Sequence, residues 1–336
     1  MEDRFDARLR AIPPGALHGL LRGIAGIEEF RGRWDGMPKP SVSVLLRIRE
    51  DSIASSAASS ARIAGADPCG AEGGYAAALR EIFDGHAAMP PTEERLLSLH
   101  AAVFRGGGEE RRHAGRYKTG PPRVTADHRW VMEPPSLRPT GSLLVPAQME
   151  ALTAWLLSRI EGGEFHPLFV AAAYILEFLA VRPFAAGNGR LSRLLTNLLL
   201  LRCGHGYLPY GPLETAIAGR WEEYYLALRR SQASRNLPRP DISPWLFAFL
   251  DALAIQQREV LRCFSRLPEE GRLSGNQAAV MDLAARLREV TNRGVAAKLR
   301  LPRETAKQTL NRLVALGALR RLGAGRATRY RLPEDA

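Results

Sequence analysis

The stretch Arg182–Arg193, RPFAAGNGRLSR, lies between two apolar runs, LFVAAAYILEFLAV at 168–181 and LLTNLLLLRC at 194–203. Both runs read as helices, and the sequence around them as a mainly α fold. Pro183 stops the first helix, and Gly187-Asn188-Gly189 supplies residues that take φ > 0, so successive backbone N–H groups can converge on one point. The helix beginning near Arg190 adds its unpaired first-turn donors and the positive end of its dipole. Arg190 and Arg193, three residues apart, share a face of that helix. Gly187, Asn188, Gly189, Arg190 and Arg193 are therefore the expected site for a phosphate-bearing ligand.

Working outward, 336 residues with 46% hydrophobic content suffice for a real core and suggest two or three domains. The net charge of +12 and pI of about 10.2 favour polyanionic partners. The excess is nearly all arginine, since Lys39, Lys118, Lys298 and Lys307 are the only lysines. With so much Ala and Gly the bias equally fits a GC-rich coding sequence, so local clustering must carry the argument. Three scattered cysteines, Cys69, Cys203 and Cys263, form neither a disulfide framework nor a zinc motif, which suits a reducing cytoplasm. The opening MEDRFDARLRAIPP has no apolar core, and no run of about 18 apolar residues predicts a membrane span.

The loop resembles the Fic (fido) signature HPFx(D/E)GNGRxxR, agreeing at Pro183-Phe184, Gly187 to Arg190 and Arg193. The resemblance spans about residues 40–255 and implies transfer of AMP or a related group from a nucleotide such as ATP to a protein hydroxyl. In the family the leading His is the general base and the carboxylate holds Mg²⁺. Here those positions are Arg182 and Ala186. An arginine, with a pKa above about 12, cannot serve as that base. The loop thus predicts ligand binding better than AMP transfer, and Mg²⁺ lacks its usual carboxylate; the site set contains no metal ligand. Two alternatives stay open: a Fic-type transferase with another catalytic residue, or Arg182 stabilising charge in a different reaction.

Upstream, residues 1–40 read as an irregular or partly helical lead-in, and 41–66 as a helix, a short break and a second helix whose serines cap or face solvent. Ser60-Ala61-Arg62-Ile63-Ala64-Gly65 resembles the family's inhibitory motif (S/T)xxxE(G/N), with Ala64 in place of Glu and Gly65 closing it. In the family that Glu pairs with the second signature arginine, here Arg193, so the resemblance implies loss of the clamp. Thr92 caps a helix on which His100 reads as a packed or surface residue. Short β-prone pieces around Val124 and Trp130–Met132 predict a hairpin. With Gly115, Arg116, Tyr117 and Pro134-Pro135 they resemble the Fic flap, which aligns a protein target by strand addition. His166-Pro167 opens the long helix. Glu177, in an apolar helix, needs a partner if buried, and a local arginine is expected. The aromatic spacing Trp221, Tyr224, Tyr225, Leu228 reads as core rather than ligand contact.

After SRLPEEGRLS the chain changes character. Residues 276–332 parse as three helices and a two-stranded wing, and resemble a winged helix-turn-helix whose third helix enters a DNA major groove. Arg303, Thr305, Lys307, Gln308 and Asn311 fall on the predicted reading helix, and Arg326 and Arg329 on the wing. A protein-interaction module is the alternative, and the basic clustering favours DNA. The expected organisation is an N-terminal helical extension at 1–90, a Fic-like core at 91–262, a linker at 263–275 and the winged helix at 276–336. A homodimer stays open.

Overall fold

The computed structural model describes residues 4–65, 68–105, 112–120, 140–237, 239–267, 273–323, 325 and 328–332. Among them the fold is mainly α. The helices are α1 (Arg4–Arg10), α2 (Pro14–Gly36), α3 (Val42–Ile63), α4 (Pro68–Gly85), α5 (Glu93–Val103), α6 (Val145–Gly162) and α7 (Pro167–Val181). They continue as α8 (Asn188–Arg202), α9 (Leu213–Gly219), α10 (Trp221–Ala233), α11 (Ser243–Ser265), α12 (Gly275–Leu287), α13 (Asn292–Lys298) and α14 (Arg303–Ala315). Strands β1 (Arg320–Leu322) and β2 (Arg329–Arg331) pair antiparallel, with Arg320 opposite Arg331. The β-prone segment expected to form a flap, including Val124, Trp130 and Pro134-Pro135, lies outside the described residues, as does Arg326. No helix is long and apolar enough to cross a membrane among the described residues.

The chain divides into two compact units, one of residues 1–34 and 51–260, the other of 35–50 and 261–336. In the first, α7 is apolar but for Glu177 and is buried on all sides, as such a helix must be. It packs against α6 and α8, and α8 packs in turn against α4 and α5. Residues expected as a lead-in are instead helical. Leu20, Ile24, Ile27, Phe30 and Trp34 recur at helical spacing and bury one face of α2. The division expected after residue 90 does not coincide with a boundary of these units.

Polar ties hold α1 in place. Asp6 accepts from Trp155 Nε1 at 2.8 Å and pairs with Arg159. Glu177, 3% exposed, pairs with Arg8 and, at 3.1 Å, with Arg235. The partners are arginines, but they come from the two ends of this unit rather than from nearby in sequence.

The break expected in 41–66 is absent, and Val42–Ile63 is one helix. Its serines do not face solvent: Ser52, Ser56, Ser59 and Ser60 are all buried. Small side chains let this face lie close to its neighbours, and Ser59 Oγ finds a partner in Thr215 Oγ1 at 2.9 Å.

In the second unit Val280, Met281, Ala284, Val295, Ala306, Leu310, Leu313 and Tyr330 share one core, with Val42 packed against it. Ser274 and Gln277 form a reciprocal cap on α12. Tyr330 ties the hairpin to Val290 by two backbone hydrogen bonds of 2.8 Å.

Candidate phosphate-binding site

The loop between α7 and α8 is built by its own residues first. Asn188 is buried, and its amide closes on one backbone position: Oδ1 accepts from Phe184 N–H at 3.0 Å and Nδ2 donates to Phe184 O at 2.8 Å. The Asn188 side chain therefore shapes the loop, with each amide atom holding one backbone partner. Gly187 is the N-cap of α8 at φ 77°, with no side-chain cap on the first-turn donors. A Cβ there would lie 2.8 Å from the Phe104 ring, so glycine is required by conformation and by space. Uncapped N–H groups at the positive end of a helix are the donors that anions take.

Two arginines flank this end of α8. Arg190 lies over the Phe104 ring at 4.6 Å. Arg193 is only 6% exposed; Nε and Nη2 donate to Ser60 Oγ at 3.1 and 2.8 Å, and Nη2 also donates to Ser60 O at 3.0 Å. Its Nη1 lies 3.6 Å from where a Cβ of Gly189 would stand, at the first turn of α8. The carboxylate clamp implied to be lost is absent, yet Arg193 is not released. A serine hydroxyl and carbonyl on α3 hold it. Ala64 and Gly65 lie beyond the end of α3, and Gly65 takes φ 63°.

Arg182 ends α7 at φ 49°, ψ 65°, a left-handed conformation that is strained for a side chain of this size. Lys118, 4% exposed, stabilises the turn by donating from Nζ to Val181 O at 3.2 Å and Arg182 O at 2.7 Å, while its backbone N–H donates to Pro183 O at 2.9 Å. Burial, with the Arg182 charge adding to it, lowers this lysine to about 8. His100 is fully buried and stacks on Phe184 at 3.7 Å. Its Nδ1 accepts from Gly115 N–H at 2.9 Å, so Nε2 carries the proton and donates to Ala186 O at 3.0 Å. Burial lowers His100 to about 4, which keeps it neutral. His100 and Lys118 thus attach the segment 115–118 to the loop from both ends.

Residues 90–200 match the family model described as Fic/DOC family. A crystal structure of a Fic family protein from Desulfovibrio desulfuricans G20 has the same fold, with a TM-score of 0.56 at 23% identity, over 97% of this chain and 98% of that one. Residues 90–200 are a Fic domain. Fic-1 (aa134–508) from C. elegans shares the fold over 75% of this chain and 74% of that one, with a TM-score of 0.59 at 17% identity. Among curated relatives, the Protein adenylyltransferase Fic of Nematostella vectensis is 33% identical over 113 residues, 34% of this chain and 23% of that protein. That of Aedes aegypti is 42% identical over 57 residues, 17% of this chain and 11% of that protein. The chain thus spans a quarter or less of the length of these relatives.

Within the Fic core, Gly187, Asn188, Gly189, Arg190 and Arg193 come together at one end of α8. Gly115 takes φ 69°, and a Cβ there would meet Ala101 Cβ at 3.2 Å; Arg116 is exposed and Tyr117 packs near Phe184 at 5.4 Å. His166 caps α7, its Nδ1 accepting from Leu168 N–H at 3.3 Å. Tyr224 and Leu228 are buried, while Trp221 and Tyr225 are partly covered. Lys118 and the acceptor role of Ser60 were missed by sequence reasoning. A signal existed for the first: in a chain that places arginine nearly everywhere, Lys118 is one of four lysines. Ala186 has no side-chain oxygen to offer a metal ion, and its carbonyl is taken by His100 Nε2. Among the described residues no group of three His, Cys, Asp or Glu side chains could hold a metal ion.

Proposed function

We propose that this Fic-domain protein binds ATP or another phosphate-bearing ligand at Gly187–Arg193 without carrying out ordinary AMP transfer. The observation that carries the reading is the uncapped first turn of α8 behind left-handed Gly187, with Arg193 Nη1 alongside. The fold and the adenylyltransferase relatives support a nucleotide as the phosphate source. Arg182 argues against the usual base and Ala186 against the usual metal ligand. Titration calorimetry with ATP, and with pyrophosphate in parallel, tests it. Saturable heat from wild type supports the reading, and its absence with both ligands sinks it. The segment Gly115, Arg116 and Tyr117 is the place we assign to a protein target.

A second reading retains transfer chemistry. Lys118 favours it, because the two N–H groups that donate to Val181 O and Arg182 O are also present in the neutral amine, whose lone pair is then unused. With its ammonium lowered to about 8, that amine could accept the proton of a target hydroxyl while the oxygen bonds to the α-phosphorus and pyrophosphate leaves. Label transfer from α-labelled ATP that is abolished by Lys118→Arg would favour this reading over binding alone.

For the second unit we infer a winged helix-turn-helix that binds DNA. Arg303, Lys307, Gln308 and Asn311 are exposed on α14, and Thr305 is half-buried there. Arg329 on β2 is exposed but pairs with Glu289 at 3.0 Å, and Lys307 pairs with Glu304 at 3.5 Å, so both would exchange an acid for a phosphate. Fluorescent-duplex binding, lost on deleting 270–336, is the expected outcome. Binding that survives the deletion overturns it. A cytoplasmic location accords with both readings.

A further inference from the structure

We propose that Ser60, Tyr75 and Glu214 form a hydroxyl relay that holds Arg193 with one edge turned to the phosphate site, so that α3 supports ligand binding. The inference rests on the phosphate-binding reading above and assigns three residues to it. Arg193 can only donate, and it gives two hydrogen bonds to Ser60 Oγ, at 2.8 and 3.1 Å. The Ser60 proton is then free for the Tyr75 hydroxyl, with which Ser60 is hydrogen-bonded. Tyr75 in turn donates to Glu214 Oε1 at 2.6 Å, and a carboxylate can only accept. Each hydroxyl has one proton, so every bond in the chain runs from the guanidinium toward the carboxylate. Asn197 Nδ2 closes the circuit, donating to Glu214 Oε1 at 2.8 Å and to Arg193 O at 3.0 Å.

Relative exposure is 1% at Ser60, 1% at Tyr75, 0% at Glu214 and 1% at Asn197, so this network replaces water rather than competing with it. A buried guanidinium needs an opposite charge. Glu214 supplies one across two hydroxyls, and each bond polarises the next. A carboxylate touching Arg193 would compete with phosphate for the same N–H groups. Neutral acceptors leave the charge available while they fix its direction, and Nη1 remains at the first turn of α8. Burial and the Glu214 charge push the Tyr75 hydroxyl well above its usual range, so it stays a donor.

The test is titration of the full chain with ATP and with pyrophosphate, alongside thermal unfolding, for wild type, Ser60→Ala, Ser60→Thr, Tyr75→Phe, Arg193→Lys and the Ser60→Ala/Arg193→Lys pair. Ser60→Ala is expected to weaken ATP about fivefold to tenfold and Ser60→Thr to stay within about twofold of wild type. Tyr75→Phe should weaken it in the same direction, and Ser60→Ala should add nothing once Arg193 is lysine, since a relay acts only through its end group. Should alanine lower folding, Ser60→Cys, close in volume and a poor acceptor, takes its place. ATP binding by Ser60→Ala equal to wild type, or tighter as an inhibitory contact would give, overturns the relay. So do additive effects in the pair. Wild type that takes neither ligand removes the phosphate-binding reading itself, and with it the inference; wild-type binding indifferent to Ser60 removes the inference alone.

Discussion

Arginine has opposite uses in the two compact units. In the first, Arg8, Arg193 and Arg235 are buried or nearly so, each on named acceptors: Glu177 for two of them, Ser60 for the third. In the second, Arg303, Arg312, Arg320 and Arg321 are exposed on α14 and β1. One compositional bias has therefore been placed in two environments, and the net charge of +12 is not a uniform footprint for polyanions. Fixing a guanidinium makes a site for one small anion, whereas leaving several in water makes a surface for many phosphates.

The largest effect should come from breaking the buried side of this contrast. Glu177→Ala leaves Arg8 and Arg235 as uncompensated charges and is expected to destabilise the fold by about 3 to 5 kcal/mol. Glu289→Ala, removing the exposed partner of Arg329, should cost less than about 1 kcal/mol. Urea unfolding of both variants decides it, and similar midpoint shifts would erase the distinction.

Acid should separate the units next. His100 is lowered from 6.5 to about 4 by burial, so within that window the unfolded chain binds a proton that the folded chain does not. Stability is therefore complete above about pH 6.5 and is lost as pH falls toward about 4, with a slope near 1.4 kcal/mol per pH unit and a limit of about 3 kcal/mol. His205, lowered to about 3, acts in the same direction. Residues 35–50 and 261–336 contain no histidine. Hydrogen exchange followed from pH 7 to 5 should show protection falling first in 51–260, and His100→Gln should flatten that fall.

How far the sequence could anticipate these features follows from the range of the interactions. Pro183, Gly187 and the run 168–181, apolar but for Glu177, act within a few residues, and the turn, the left-handed cap and the helix α7 are all readable from them. Asn188 falls in the expected ligand set, but its partner within the fold, the Phe184 backbone, was not legible because it depends on a loop conformation that the residue itself creates. The serines of α3 read as capping or solvent-facing, since a small polar side chain carries no periodic signal and its burial depends on what packs against it. His100 and Lys118 bond backbone groups 86 and 64 residues away at Ala186 and Arg182, and no local pattern encodes such a partner.

At the proposed anion site, Arg193→Ala should weaken ATP about tenfold or more, consistent with a charge-assisted contact of roughly 1.5 to 3 kcal/mol. Arg190→Ala should weaken it too, through loss of a cation held over Phe104 at 4.6 Å. Calorimetry on both variants checks this. If both bind ATP as wild type does, the buried arginines are structural throughout and the contrast between the units loses its ligand.

The smallest and most diagnostic effect belongs to the exposed arginines. A side chain that neutralises one phosphate changes the slope of log affinity against log salt by about 0.9, whatever the base sequence, while a side chain that reads a base changes preference among sequences at little cost to the slope. Arg320 and Arg321 on β1 are exposed and should belong to the first kind. Gln308 and Asn311, exposed on α14, should belong to the second. Replacing Arg321 by Ala is thus expected to weaken all duplexes alike and flatten the salt slope by about one contact, and Gln308→Ala to narrow the gap between preferred and random duplexes. A selected duplex and a random one, titrated across 50 to 200 mM salt on the order of the range where such slopes are read, separate the two behaviours. If Arg321→Ala leaves the slope untouched while Glu289→Ala also leaves affinity unchanged, the exposed cations of this unit serve a protein partner, and charge alone will have misled the DNA reading.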